Sequence, residues 1–300
     1  MDFKSAEELL MLCEKNHCSI SEVMKQREME LGEISAAAAE KKMAAALNIM
    51  RESAYTPIRR PQRSIGGLIG GEAKLLRKHK NAGQDICGCV LSNAITYAMA
   101  VLEVNTSMGL IVAAPTAGSS GIVPGLLLAL QEEYHISEER LIQALFNAGA
   151  IGYLAMRNAT VAGAVGGCQA EVGVASAMAA SAAVELMDGN PKECLNAAST
   201  VLMNLLGLVC DPLGGLVECP CQSRNAAGVS IALCAAEMAL SGVPQIIPFD
   251  EMLDTMYQVG KKLPSELRET ALGGCAATPT GCRFAKQLLK KRMFKFTDTK

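Results

Sequence analysis

An all-α fold is predicted for this 300-residue chain, and three observations predict it. Half of the residues are hydrophobic, yet there is no Trp and only 6 Phe and 5 Tyr, so the core must be built from Ala, Leu, Val, Met and Gly. Such small-residue segments suit closely packed helices, whereas strands favour β-branched and aromatic side chains. The apolar runs are also long, nearly apolar all round, and ended or interrupted by Gly, Pro or Asn, which marks helices buried on most sides. The expected architecture is a single large helical domain of buried apolar helices with glycine-rich joints, preceded by an N-terminal helical arm.

The arm comes first. Ser5 and Glu8 form a capping-box pattern before Leu9, Leu10 and Leu12, and Ser19 with Glu22 repeats it before a helix that Gly32 can end. Ala36 to Met50 continues with strong helix formers. The run Thr56, Pro57, Ile58, Arg59, Arg60, Pro61, Gln62, Arg63 is predicted to be non-helical, and it leads into Gly66, Gly67, Gly70 and Gly71. These features set the boundary between an arm over 1–60 that packs on the main domain and the main domain over 61–300.

Beyond the boundary, helices are predicted over Leu91 to Val104, Pro124 to Leu130, Glu138 to Ala150, Gly173 to Leu186, Asn196 to Leu208 and Ala226 to Leu240. Asp250 is expected to cap a helix through Tyr257, Phe284 to Phe294 to form a basic helix with solvent-facing charges, and Thr297 to Lys300 to fray. Val104 to Gln131 carries no formal charge and invites a transmembrane reading, but Asn105, Thr106, Ser107, Pro115, Thr116, Ser119, Ser120 and Pro124 interrupt it. A buried segment beside a site is the better reading.

Net charge is −2, so no general pull toward nucleic acid or anionic membrane is expected. The first residues lack the basic-then-apolar order of a secretory signal, which points to the cytoplasm. In that compartment the 12 cysteines are not a disulfide framework. They must ligate metal, react, or fill space as small apolar side chains, and most are expected to do the last.

Three joints between the helices are more polar or glycine-rich than packing requires. They are Pro115-Thr116-Ala117-Gly118-Ser119-Ser120-Gly121, then Gly166-Gly167-Cys168-Gln169-Ala170-Glu171-Val172-Gly173, then Gly207-Leu208-Val209-Cys210-Asp211-Pro212 running on to Glu218-Cys219-Pro220-Cys221-Gln222-Ser223-Arg224-Asn225. Together they resemble the motifs of the iron-sulfur-dependent L-serine dehydratases, and the chain is similar to the separate alpha subunit of their two-subunit form. The likeness runs in order from about Gly66 to Thr280. The separations between Cys168, Cys210 and Cys221 are too long and uneven for a zinc ribbon or a ferredoxin, so the flanking residues carry the resemblance.

The resemblance implies that Cys168, Cys210 and Cys221 ligate a 4Fe-4S cluster, leaving one iron open as a Lewis acid toward a substrate hydroxyl. Cys219 competes with Cys221 for the third place, and the Pro-Cys-x-x-Arg-Asn context favours Cys221. Cys87 and Cys89 read as buried helix-start thiols rather than a metal pair. Thr116, Gly118, Ser119, Ser120 and Gly121 offer hydroxyls and backbone N–H groups to a substrate carboxylate, against the alternative of a tight turn between buried helices. Arg224 and Asn225 are read either as a carboxylate clamp or as a solvated Arg with a helix-capping Asn. In single-chain relatives a terminal cysteine folds back toward the cluster; Cys282 is the nearest counterpart, off by about one position, with Cys275 close by. Asn158 to Gly163 departs from the family's more serine-rich version.

No general base is evident, because His17, His79 and His135 adjoin no motif and are expected to be exposed. The family's smaller domain, with its Ser-Ser-His-Thr segment, is missing from this sequence, so a beta subunit is expected to supply it and with it the base. The implied reaction takes L-serine to pyruvate and ammonia without pyridoxal phosphate. An iron-sulfur lyase for L-cysteine or threonine, a non-catalytic iron-sulfur redox subunit and an inert helical protein rich in thiols remain the alternatives.

Overall fold

The computed structural model describes the backbone of residues 1–297 and the side chains of residues 1–289. Among the described residues there are thirteen α-helices: α1 (Ala6–Asn16), α2 (Ile20–Gly32), α3 (Ala36–Arg59), α4 (Glu72–Asn81), α5 (Gly88–Thr106), α6 (Ile122–Tyr134), α7 (Glu138–Asn158), α8 (Gly163–Gly166), α9 (Val174–Leu186), α10 (Pro191–Asn204), α11 (Cys221–Leu240), α12 (Phe249–Lys262) and α13 (Pro279–Thr297). Among the described residues there is no β-strand, only an isolated bridge between Cys210 and Arg268. The all-α expectation holds.

Helix α9 is the centre of the molecule. Every residue of it except Glu185 is buried, and α6, α7, α10 and α11 pack around it. Its Ala and Ser side chains let those neighbours approach closely, which is how a chain almost without aromatic residues fills its core. Gly121 shows how close the approach is: a Cβ there would lie 2.2 Å from the Ala98 carbonyl oxygen of α5. Residues 1–60 belong to the same core, with Phe3, Leu9, Ile20, Val23 and Leu47 packed among the buried side chains of the later helices. Arg27 of α2 stacks over the Tyr153 ring of α7 at 3.8 Å, tying the arm down further.

Local signals set several helix ends. Ser19 and Glu22 form the full reciprocal capping box, while Ser5 accepts from the Glu8 N–H and the Glu8 carboxylate turns instead to the Lys4 N–H. Helix α2 ends at Gly32 as expected, although the left-handed residue beyond it is Glu33.

Three expectations need correction. Helix α3 runs through Thr56, Pro57, Ile58 and Arg59 instead of stopping before them; Pro57 is buried, and packing of α3 on α5 overrides its local penalty. Helix α10 begins at Pro191, capped by Asn190 with Glu193, and ends at Asn204, before Gly207 and Leu208. Asp250 lies in the first turn of α12 and caps α1, accepting from the Ala6 N–H at 2.8 Å and the Glu7 N–H at 3.1 Å. The run from 104 to 131 is split between the end of α5, an irregular stretch and α6, and no described helix is long and apolar enough to cross a membrane. Phe284 to Phe294 lies within α13, but its side chains over 290–294, like the tail at 298–300, fall outside the described residues.

Candidate active site

Three chain segments converge beside the lower-numbered end of α9. Gly167, at φ +76°, turns the chain from α8 into Cys168, and a π-helical turn over Gln169–Gly173 then leads into α9. A π turn widens the helix by one residue and re-aims its side chains, a device common at functional positions. Gln169 is fully occupied as a clasp: its Oε1 accepts from the Gly207 N–H at 2.9 Å and its Nε2 donates to the Met256 carbonyl at 2.9 Å. That clasp draws the loop after α10, with Cys210, and helix α12 onto the π turn. Cys210 is then pinned from the other side, donating its N–H to the Leu267 carbonyl and accepting from the Glu269 N–H.

The sulfurs of Cys168 and Cys210 and a carboxylate oxygen of Glu171 lie within 4.8 Å of one another. Cys221, in the first turn of α11, is buried alongside; it stands outside that tight group, yet the charges of Cys168 and Glu171 reach it. Cys168 and Cys210 share a hydrogen bond that acts on their two thiols in opposite directions. That bond lowers the Cys168 pKa most, with the Arg224 guanidinium adding to it against the opposing effect of burial, while Cys210 is driven upward. Burial also pushes Cys221 up. Glu171 bridges two of the segments: its Oε1 accepts from Thr116 Oγ1 at 2.9 Å, and its Oε2 lies 3.7 Å from Cys210 Sγ. Burial raises its pKa, with Glu269 adding to the rise and the Thr116 and Cys210 hydrogen bonds opposing it.

Arg224 is 15 % exposed, which removes the solvated reading. Its Nη1 donates to the Val209 carbonyl at 2.8 Å and lies 3.5 Å from Cys168 Sγ, and its Nη2 stands 2.7 Å from Asp211 Oδ1. That last contact is an ion pair by distance, without the angle of a hydrogen bond. Asp211 keeps a pKa below the ordinary carboxylate range: desolvation raises it, but the Cys275 backbone N–H and thiol together with Arg224 outweigh that.

The Thr116 to Gly121 joint is a short 3₁₀ turn leading into α6. Thr116 is half-buried and its hydroxyl lies 3.1 Å from that of Ser119; Ser119 and Ser120 are fully buried, and Ser120 donates to the Ala117 carbonyl. Asn225 holds the joint to α11, accepting from the Gly121 N–H at 3.0 Å and donating to the Gly118 carbonyl at 2.8 Å and the Cys221 carbonyl at 2.9 Å. Thus Thr116, Gly118, Ser119, Ser120, Gly121, Cys168, Cys210, Cys221, Arg224 and Asn225 all occur in one neighbourhood.

Sequence reasoning assigned no role to Glu171, Asp211 or Gln169, although all three lie inside the quoted motifs. It also passed over two buried carboxylates that fix the glycine-rich segment after α3. Glu103 accepts from the Gln62 and Ala73 N–H groups, and Glu218 from the Ser64 hydroxyl and the Gly66 and Leu68 N–H groups. A single Glu inside the apolar run of α5 was the available signal for Glu103.

Of the twelve cysteines five are buried, two half-buried and five exposed, so most are not core filler. Cys87 and Cys89 do start α5, but exposed, because residues 86–89 lie on the surface. Cys275 reaches the Asp211 carboxylate, whereas Cys282 is exposed with its sulfur on the Ala276 and Ala277 carbonyls. All three histidines are exposed, as expected. A cavity of about 580 Å³ lined by Cys13, His17, Cys18 and Glu22 lies elsewhere and takes in none of the predicted site residues.

Fold and site together define a class: an all-helical protein that gathers buried thiols, a carboxylate and an arginine at one point, the donor chemistry of a cysteine-ligated metal centre. The chain matches the profile of the serine dehydratase alpha chain over residues 15–276, and it belongs to that family. It is 44% identical over 286 residues to a probable L-serine dehydratase alpha chain of Bacillus subtilis, covering 95% of each chain. It is 40% identical over 287 residues to the L-serine dehydratase alpha chain of Peptoniphilus asaccharolyticus, covering 96% of this chain and 98% of that one. With an L-serine dehydratase of Escherichia coli the identity is 37% over 287 residues, covering 92% of this chain but 62% of the longer relative.

Proposed function

We propose that this chain is the alpha subunit of an L-serine dehydratase, a lyase that eliminates water from L-serine. The observation that carries the reading, beside the family, is the pair of contacts made by Glu171: one oxygen on Thr116 of the presumed substrate joint, the other on Cys210 of the thiol group. A turn between buried helices and a set of inert thiols have no reason to share a carboxylate.

The donor set fits a thiolate-held cluster. It offers three buried sulfurs, one of them already favoured as thiolate by its neighbours, and a guanidinium to balance the negative charge. Cys168, Cys210 and Cys221 would hold a 4Fe-4S cluster, and such a cluster supplies Lewis acidity toward the departing hydroxyl. The remaining work falls to the protein. The Thr116 to Gly121 joint orients the substrate carboxylate, and Asn225 keeps the joint in register with the first turn of α11. Arg224 lies against Cys168, helps the Cys210 hydrogen bond to lower its pKa, and is itself held by Asp211. The aminoacrylate released by elimination tautomerises to an imine, which water converts to pyruvate and ammonia. No side chain among the three exposed histidines is placed to take the α-proton, which favours a base carried by a beta subunit. The E. coli relative, longer than this chain by more than a third of its own length, fits a fused version of the same pair.

The test is anaerobic purification of the chain with its beta partner, iron and sulfide analysis, and a pyruvate assay with L-serine, threonine and L-cysteine side by side. Activity with serine that tracks iron supports the reading. Activity that tracks added pyridoxal phosphate, or iron-free protein that is fully active, overturns it.

A further inference from the structure

Helices α3, α4, α5 and α6 enclose a polar cavity of about 180 Å³, lined by Tyr55, Ile58, Arg59, Arg77, Tyr97 and Glu132. It takes in none of the thiols and no residue of the Thr116 to Gly121 joint. Its charges are unequal, two guanidiniums against one carboxylate, and the carboxylate is already engaged. Glu132 Oε1 accepts from the Tyr55 hydroxyl at 2.7 Å, and Oε2 accepts from the Tyr97 hydroxyl and from Asn93 Nδ2 at 3.3 Å. Burial, and after it the bond to Glu132, raises the pKa of both phenols, so each keeps the proton it donates. Behind this network Lys80 donates to Asn93 Oδ1 at 2.7 Å, which places a third cation on the same carboxylate through the amide.

Neither arginine of the cavity is paired with an acid. Arg77 of α4 donates from Nη2 to the Tyr97 hydroxyl at 2.8 Å, and its guanidinium lies 5.4 Å from the centre of the Tyr97 ring. Tyr97 is fully buried, so these contacts fix the guanidinium in place, while its Nε is left without a hydrogen-bond partner. Arg59, in the last turn of α3, is exposed. Arg51, two turns earlier on the same helix, is paired with Glu138 at 3.2 Å, whereas among the described residues Arg59 has no such partner. One guanidinium oriented by a neutral hydroxyl, beside a second with no counter-ion, is the planar donor arrangement that oxyanions use. The volume lies well below the roughly 300–1,000 Å³ of pockets for larger ligands, so it suits a compact group.

We propose that this cavity binds one compact oxyanion, a phosphate or carboxylate group, between Arg59 and Arg77, at a site separate from the thiol group and the Thr116 to Gly121 joint. Arg77 is held ready by Tyr97, and Arg59 closes on the anion from the end of α3. Tyr55 and Tyr97 stay on Glu132 and spread its charge over two hydroxyls and an amide, so that it does not compete for the guanidiniums. The proposal is independent of the reaction assigned to the chain.

The test is equilibrium dialysis of the full chain, purified anaerobically with its beta partner, against radiolabelled inorganic phosphate. Wild-type protein is expected to bind one phosphate per chain with a Kd of about 1 mM or tighter, the strength of two charge-assisted hydrogen bonds. Arg59→Gln and Arg77→Gln each weaken binding about tenfold or more, while Arg157→Gln, at an exposed position of α7 outside the cavity, leaves it unchanged. If R77Q fails to fold, R59Q decides, because Arg59 is exposed and its removal strands no buried group. Acetate competing with the label tells the two sources apart. Displacement at similar concentration marks a site open to carboxylates, phosphate retained against acetate marks a site for phosphates, and either result supports the proposal. Absence of saturable binding below about 10 mM, binding unchanged in R59Q, or equal weakening in R157Q overturns it.

Discussion

Two sets of buried thiols in this protein have nearly the same burial and different neighbours. Cys13 of α1 and Cys194 of α10 are 2 % and 0 % exposed, and Cys168 and Cys210 are 2 % and 3 % exposed. Burial pushes Cys13 up to about 12 and Cys194 well above its ordinary value, and the charge of Glu185 pushes both the same way. Cys168 suffers the same burial but is lowered, because Cys210 donates to it and Arg224 lies against it. Burial therefore raises a thiol by default, as it does Cys13, Cys194 and Cys221, and at Cys168 a neighbouring donor and cation reverse it.

The widest separation between the two sets should appear on mutation. Cys168→Ser or Cys210→Ser is expected to remove most of the bound iron and to lower kcat/KM by more than about 100-fold, since even outer partners of metal ligands commonly cost 10–100-fold. Cys194→Ala should keep its iron and lose only about 1 kcal/mol of stability through a small cavity. Iron analysis and steady-state kinetics on both variants check the contrast, and equal iron loss in the two would erase it.

Next in size is the guanidinium that sets Cys168 apart. Arg224→Met leaves Asp211 as an unpaired buried charge and Cys168 without its cation, so urea unfolding should show a loss of about 3–5 kcal/mol. Asn225→Ala should cost less, about 1–3 kcal/mol in the same measurement, because it strands the Gly118 and Cys221 carbonyls and the Gly121 N–H rather than a charge.

The smallest effect belongs to the surroundings of Cys13 and Cys194. Glu185 is half-buried among Ser21, Asn147, Cys13 and Cys194, and its desolvation raises its pKa. Folded protein therefore holds the Glu185 proton more tightly than unfolded protein does, and stability falls as pH rises above the ordinary carboxylate range toward its folded pKa. Glu185→Gln, which still can accept from Ser21 and Asn147, should flatten that fall. Thermal midpoints measured from pH 4.5 to pH 7 would show it, and an unchanged slope would mean that Glu185 ionises at no cost.

Much of the fold could be read locally, and the exceptions are instructive. Ser19 with Glu22 states its helix start within four residues, and so does Asn190 with Pro191 and Glu193, a signal passed over in favour of a later start for α10. Pro57 reads as a break and is none, because α3 is held by what it packs on. The cysteine trio, the Thr116 joint and the Arg224-Asn225 pair were legible as motifs. Their partners were not: Asp250 looks like a cap for α12 and caps α1, and Glu171 and Asp211 look like ordinary polar neighbours of cysteines.

By itself, then, the sequence determined the helical class, several helix ends and the identity of the chemical groups, because propensity, capping and turn chemistry act within a few residues of the chain. Only the tertiary structure decided which groups meet. Whether a carboxylate finds an arginine, as Asp211 does, or is left among thiols and another acid, as Glu171 is, depends on packing between segments far apart in the chain. Buried charges respond to neighbours a few ångströms away, whatever their distance in sequence.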